Sequence, residues 1–264
     1  GLFISAGMRN LSEKYITDIT PAGLTFSIWG IIYIWQAVWL LYAVISIFRM
    51  GAEGPLYRSP ILLPPVFFII YIANNVLNTT WLFLWDRERL VASFVILLFV
   101  ALTLFICIAI SMRYLTRNLE VLTKNRLGKE RWWIWIGVQN GLAIYATWAT
   151  VAAALNLAVV LEYRSGLDRD GAGTVALIII LACFIFWAFL ELVLLDRYAR
   201  YLFMPYITVA WAFGGILVHH WGVDWTPSDR NAIVSAIGIA IIVGLTIVKI
   251  VLLIYRQVKT PLNK

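Results

Sequence analysis

The chain has 264 residues, 62% hydrophobic and only 13% charged, with a mean hydropathy of +0.86 and a net charge of +7. That much apolar surface exceeds what a soluble domain uses, so the composition describes an integral multi-pass membrane protein. The positive charge lies in short loops, where lysine and arginine set topology, so nucleic acid is not an expected partner.

Seven apolar runs are each long enough to span: Leu24–Phe48, Pro64–Trp85, Leu90–Met112, Trp132–Leu161, Thr174–Leu195, Tyr201–Val218 and Ala232–Tyr255. They lack the polar–apolar alternation of barrel strands, which leaves an all-α polytopic fold of about seven transmembrane helices in a single membrane domain, 1–264. The first eight residues are apolar but too short to cross. They read as the tail of an upstream helix or the mature end of a processed precursor. Asn10-Leu11-Ser12 is a glycosylation sequon that matters only in a eukaryotic secretory membrane. Pro64-Pro65 suits a helix first turn, and Pro205 either starts or bends the sixth helix. The charged stretch Arg113 to Arg131 extends the third helix before Gly128. Asp86 to Arg89 and Asp196 to Arg200 are tight connections, so the helices that they join are antiparallel neighbours. Trp132, Trp133, Trp135, Trp221 and Trp225 fit interfacial belts.

Lysine and arginine number 13 on the side holding the first, third and fifth loops and the C-terminal tail, against 7 on the other. The positive-inside rule then makes the N-terminus exoplasmic and the C-terminus cytoplasmic; which membrane is meant is not encoded. Cys107 and Cys183 both lie in apolar runs and do not suggest a disulfide.

Three runs carry aromatic and amide residues at helical spacing. The first has Phe26, Trp29, Tyr33 and Gln36; the second Asn74, Asn78, Trp81 and Trp85; the fourth Tyr145, Trp148, Ala152 and Asn156. Each set follows steps of three and four, so each forms one stripe. The alternating direction of the helices brings all three to the exoplasmic half. Rings with a few amide hydrogen bonders suit a flat, mostly apolar ligand. The alternative is interhelical packing, with each buried amide contributing ~0.6–2 kcal/mol. Gly137-Val-Gln-Asn-Gly141 allows close backbone approach, inside the bundle rather than at a dimer seam.

These blocks resemble the translocator protein family, also called tryptophan-rich sensory proteins. The resemblance rests on Pro21-x4-Phe26-x2-Trp29-x3-Tyr33, on Leu77-Asn78-x2-Trp81, and on Tyr145-x2-Trp148-x3-Ala152-x2-Leu155-Asn156, covering about residues 20 to 160. It implies a helical bundle around a cavity for porphyrins, sterols and other aromatic ligands. Trp29, Tyr33, Asn78, Trp81, Tyr145, Trp148 and Asn156 would line or brace that cavity. The family's first helix has no counterpart unless residues 1–8 are its remnant. Ile144 replaces a usual proline, and Trp85 stands in a phenylalanine-rich stretch. Residues 20–162 are thus expected to form the family-like helices, and 163–264 three additional spans without equivalent there, marking a larger, diverged branch.

Three motifs mislead. Asp196-Arg197-Tyr198 copies a receptor tripeptide but follows the fifth span. Lys249 suggests a retinal Schiff base, yet the third run holds no acid as counter-ion; Lys249 and Glu191, at similar depth, either pair or reach separately for the same surface. His219-His220 have no Cys, Asp or Glu at ligand spacing and read as a helix end, so no metal site is expected. No nucleophile with a base in reach emerges either, which points away from an enzyme and leaves no catalytic residues to name.

The expected function is binding, with movement as a further step, of a flat hydrophobic ligand such as a tetrapyrrole (porphyrin) or sterol. Its ligand set is Phe26, Trp29, Tyr33, Asn74, Asn78, Trp81, Trp85, Tyr145, Trp148 and Asn156. The rival is a structural or regulatory subunit in a homo-oligomer or larger membrane complex; a channel or transporter pore ranks third, because polar groups concentrate in one half. Membrane lipids are partners in every case. No resident cofactor is implied beyond a bound porphyrin, sterol or lipid.

Overall fold

The computed structural model describes residues 14–51, 54–221 and 229–260. The apolar N-terminal eight residues, the Asn10 sequon, Trp225 and the side chain of Trp221 lie outside the described residues. Seven long helices follow one another: α1 (Ile28–Phe48), α2 (Pro65–Asp86), α3 (Leu90–Lys124), α4 (Gly128–Tyr163), α5 (Arg169–Leu194), α6 (Met204–Trp221) and α7 (Arg230–Lys259). A 3₁₀ turn, Gly23–Ser27, leads into α1, and a two-residue antiparallel ribbon, Met50–Gly51 with Gly54–Pro55, lies in the loop after it.

The boundaries follow local chemistry. Pro65 occupies the first turn of α2, where its missing N–H costs nothing. Asp168 and Asp229 accept backbone N–H bonds at the starts of α5 and α7. Pro205 starts α6 rather than bending it. Helix α3 runs on to Lys124 and stops before Arg126, whose φ is 57°. Glu88, with φ 54°, closes the tight α2–α3 turn.

Six of the seven helices are long and apolar enough to span by themselves. The exception is α6. It has 18 residues, about 27 Å at ~1.5 Å per residue, short of a ~30 Å hydrocarbon core, and it ends in His219-His220. It packs in the bundle against α4 and α7.

Helix α4 is the axis of the molecule. In it 72% of the most apolar stretch is buried, against 17–39% in the other five spans. It touches α1, α3, α5 and α6. Its alanines let neighbours approach, and at Gly141 an added Cβ would strike the Trp35 ring of α1. There Gln36 donates to the Gly141 carbonyl at 2.7 Å and accepts from Trp39 and Tyr71, tying α1, α2 and α4 together. The close approach expected at Gly141 is therefore intramolecular. Just before it, Trp133–Asn140 form a π-helical stretch. Asn140 accepts from the N–H groups of Phe203 and Met204, fixing the start of α6.

Residues 14–22 cross one end of the bundle, here termed the N-terminal face. Lys14 meets Glu88 at 2.7 Å, Tyr163 donates to the Ile16 carbonyl, and Asp18 accepts from Asn231. The ends of α2 and α4 and the start of α7 thus share that face. The opposite, C-terminal face holds the loops after α1, α3 and α5 and the end of α7. There Asp196 binds Arg200 and Arg256 in a structural clamp between the α5–α6 turn and α7, which removes any receptor-like reading of Asp196-Arg197-Tyr198.

Lys249 pairs with Glu191, both 2% exposed, and its ammonium also lies over the Phe203 and Tyr206 rings. Helices α5 and α7 are neighbours, as that pair requires. Trp132 and Trp133 are half-exposed, as a belt demands. Trp135 is not: it is buried against Tyr201, with ring centroids 4.3 Å apart.

Candidate functional site

The N-terminal face holds a cavity of about 280 Å³ between α1, α2, α4 and the crossing segment. Its walls are Phe26 and Trp29 of the first stripe, Trp81 and Trp85 of the second, and Trp148, Ala152 and Asn156 of the fourth. All three stripes meet as their phases require. Trp29 is the hub. It stacks on Trp81 at 6.2 Å and 21°, on Tyr33 at 5.7 Å and 23°, and meets Tyr145 and Trp148 edge-on at 6.1 and 6.4 Å. Phe26 meets the edge of Trp148 at 6.2 Å. Parallel and perpendicular rings together make a slot with a flat wall.

Four residues expected in the ligand set do not line this cavity. Asn74 is fully buried and donates to the Val100 carbonyl at 2.8 Å and to Thr103 at 2.9 Å. It joins α2 to α3, as an interhelical amide does. Asn78 is one turn nearer the cavity but set back from its wall. Tyr145 is 2% exposed, behind Trp29, and Tyr33 stacks on the outer side of Trp29, half-exposed. The last two brace the hub rather than touch the cavity.

Four residues of the crossing segment complete the wall: Tyr15, Thr17, Thr20 and Pro21. Periodicity could not reveal them, because they are not helical. Tyr15 bonds Glu88 at 2.6 Å and packs edge-on against Trp85 and Tyr163, so the segment is held over the cavity by the ends of α2 and α4.

The polar groups around this cavity are unusual. Trp81 Nε1, Trp148 Nε1 and Asn156 Oδ1 are buried and have no hydrogen-bond partner among the described residues; neither do Asn78 Oδ1 and the Tyr145 hydroxyl behind them. Buried donors and acceptors are nearly always paired, so each such atom needs a reason. Trp81, Trp148 and Asn156 line the slot with their side chains, while their two N–H donors and amide oxygen are enclosed just behind its surface.

A larger cavity, about 590 Å³, lies at the C-terminal face between α1, the loop after it and α4. Of its polar lining, Tyr42 donates to Glu130 at 2.8 Å, whose other carboxylate oxygen binds Arg49 at 2.7 Å, and Ser46 donates to the Ala43 carbonyl. Size favours this cavity, and chemistry favours the smaller one.

Around His220 the structure departs from the sequence reading. Its Nδ1 lies 2.7 Å from Asp229 and its Nε2 3.9 Å from Asp18. Both acids come from outside any ligand spacing, which is why the sequence did not disclose them.

The family model described as TSPO-like protein matches residues 2–252. The match runs past the three motif blocks and takes in α5 and α6 and most of α7, consistent with a diverged branch of the family. No curated protein and no solved structure matches the chain.

Proposed function

The chain belongs to the TSPO-like protein family, and from that premise we propose that it binds a flat hydrophobic ligand, a tetrapyrrole or a sterol, in the aromatic slot of the N-terminal face, without chemical conversion. The observation that carries the reading is the set of enclosed, unpartnered polar atoms of Trp81, Trp148 and Asn156 around the Trp29 hub. Ring stacking would supply most of the affinity. The indole N–H groups would select a ligand whose edge bears a carboxylate or hydroxyl.

Size constrains the pose. The cavity is at the small end of ligand sites, which run ~300–1,000 Å³. A tetrapyrrole therefore enters edge-first, and the crossing segment moves outward to admit it. The charge bias orients the proposal: the slot opens at the exoplasmic side, and the basic C-terminal face is cytoplasmic. Protease access to the Arg113–Arg131 stretch from the exoplasmic side would reverse that orientation.

The test is ligand titration by fluorescence quenching of the purified protein in detergent, with protoporphyrin IX and with a fluorescent sterol. Trp148→Phe and Trp81→Phe keep an aromatic ring while removing the N–H donor together with part of the indole's stacking area. Each should weaken binding by roughly 3–10-fold, the value of one lost neutral hydrogen bond. Unchanged affinity in both variants, or saturable binding of neither probe by the wild type, would favour the subunit reading.

A further inference from the structure

We propose that Asp18 and His220 form a divalent-metal site of the zinc class on the N-terminal face, with Asp229 and Asn231 orienting them. Nothing in the ligand reading requires it. His220 is 7% exposed. Its Nδ1 lies 2.7 Å from Asp229 Oδ2, so that donation from Nδ1 leaves Nε2 as the nitrogen that can take a metal. That Nε2 is enclosed, without a hydrogen-bond partner among the described residues, and it points at Asp18.

The 3.9 Å between Nε2 and Asp18 Oδ2 is the deciding distance. It is too long for a hydrogen bond, which runs ~2.7–3.2 Å. A zinc ion takes a histidine nitrogen at ~2.0–2.1 Å and a carboxylate oxygen at ~2.0–2.2 Å, so at tetrahedral angles the two atoms stand ~3.4 Å apart, and an ion here draws Asp18 about 0.5 Å towards His220. The candidate ligand atoms of Asp18, His220 and Asp229 all lie within 4.8 Å of one another.

The outer partners are those of a metal histidine. A ligating histidine hands its other N–H to a carboxylate, which fixes tautomer and ring plane. Asp229 does this with Oδ2, while its Oδ1 accepts the Ala232 N–H at the start of α7 at 3.2 Å. Asn231 donates to Asp18 at 2.6 Å and accepts from Thr174 at 2.7 Å, so the carboxylate is aimed by α5 and α7 together. Glu162, at the end of α4, is close enough to Asp18 for the two charges to repel, although Arg169 offsets part of this, and its Oε2 is also enclosed without a partner among the described residues. A cation between His220 and Asp18 gives the enclosed Nε2 a partner, with water completing its coordination.

The consequence is mechanical. Asp18 belongs to the segment whose Tyr15, Thr17, Thr20 and Pro21 wall the aromatic slot. A metal joining Asp18 to α6 would hold that segment down. This coupling rests on the ligand reading; metal binding does not.

The experiment is calorimetric titration of the full chain with ZnCl₂ in detergent, after chelator treatment and removal of any affinity tag. The wild type should take up one equivalent and unfold at a higher temperature. His220→Gln and Asp18→Asn should each lose at least tenfold in affinity, Asp229→Asn ~10–100-fold, and His219→Gln should change nothing. Wild-type uptake no tighter than that of His220→Gln, or loss in His219→Gln, overturns the proposal. X-ray absorption on the zinc-loaded wild type decides the matter without variants: one imidazole in a nitrogen–oxygen shell supports the site, and none or two refutes it. Porphyrin titration with and without zinc then tests the coupling separately, so failure of the slot and failure of the metal site give different results.

Discussion

The two faces of this bundle solve opposite problems with the same residue types. At the C-terminal face the main charged and amide groups are held by neighbours: Glu130 by Tyr42 and Arg49, Asp196 by Arg200 and Arg256, Asn140 by the start of α6, although Arg131 Nε and Glu191 Oε2 have no hydrogen-bond partner among the described residues. At the N-terminal face, Trp81, Trp148 and Asn156 keep polar atoms unsatisfied among the described residues. In a low-dielectric interior an unpaired polar group is costly, so the first arrangement stabilises the fold and the second lowers stability unless, as proposed, a ligand pairs those atoms.

The largest expected effect tests whether the paired half carries the fold. Removing one partner of a buried ion pair leaves an uncompensated charge and costs ~3–5 kcal/mol, whereas replacing both can be nearly neutral. Glu191→Ala should therefore lower the unfolding midpoint in detergent sharply, and Glu191→Leu with Lys249→Met should recover most of it. A double variant as damaged as the single would mean that the pair contributes specific stability beyond charge compensation.

The next effect tests the other half. Trp148→Ala should weaken porphyrin binding at least tenfold, ~1.4 kcal/mol, while Trp132→Ala, half-exposed at the far face, should leave it unchanged. Equal losses would indicate a general folding defect, and the contrast between the faces would then lose its functional meaning.

What was legible in the sequence divides along the same line. Runs of apolar residues fix helices because a bilayer leaves the backbone no other partner than itself, so all seven were readable. The three stripes were readable because their period is that of a helix. Phase alone, however, could not separate the wall residue Trp81 from Asn74, two turns away and pointing at α3. The crossing segment was invisible for the complementary reason: Tyr15, Thr17 and Thr20 have no period, and the segment is held by residues far along the chain such as Glu88, Tyr163 and Asn231. His220 with Asp18 and Asp229 is the same case, a constellation made by topology rather than spacing. Trp135 misled because belt and core tryptophans look alike until Tyr201 is seen against its ring.

A smaller effect follows from the clamp at the C-terminal face. Partial burial would raise the Asp196 carboxyl, but hydrogen bonds from Arg200 and Arg256 outweigh it and hold the group below its ordinary value of 3.8. A carboxylate lowered in the folded state stabilises the fold above its unfolded pKa and loses that contribution as pH falls through the lowered value. Wild-type stability should therefore drop below about pH 4, and Asp196→Asn, weaker by ~1–2 kcal/mol at neutral pH, should lack that step. Porphyrin affinity should be the same in both, because the clamp is at the other face.

The smallest effect concerns the strap over the slot. Glu88 is held below its ordinary value of 4.5 by hydrogen bonds from Lys14 and Tyr15, and its pairing also raises Lys14. The Lys14–Glu88 contact is exposed and salt-screened, so its loss should barely move the unfolding midpoint. Its kinetic consequence is more specific. Tyr15 is bonded to the same carboxylate and packs on Trp85 at the rim of the cavity. Glu88→Gln should speed porphyrin dissociation by less than about fivefold, with the association rate little changed. High salt should narrow the gap between variant and wild type. Lowering pH should do the same, since the wild type loses its carboxylate as pH falls through the depressed value. A dissociation rate indifferent to Glu88, in low salt at neutral pH, would mean that ligand leaves between the helices and not past the strap.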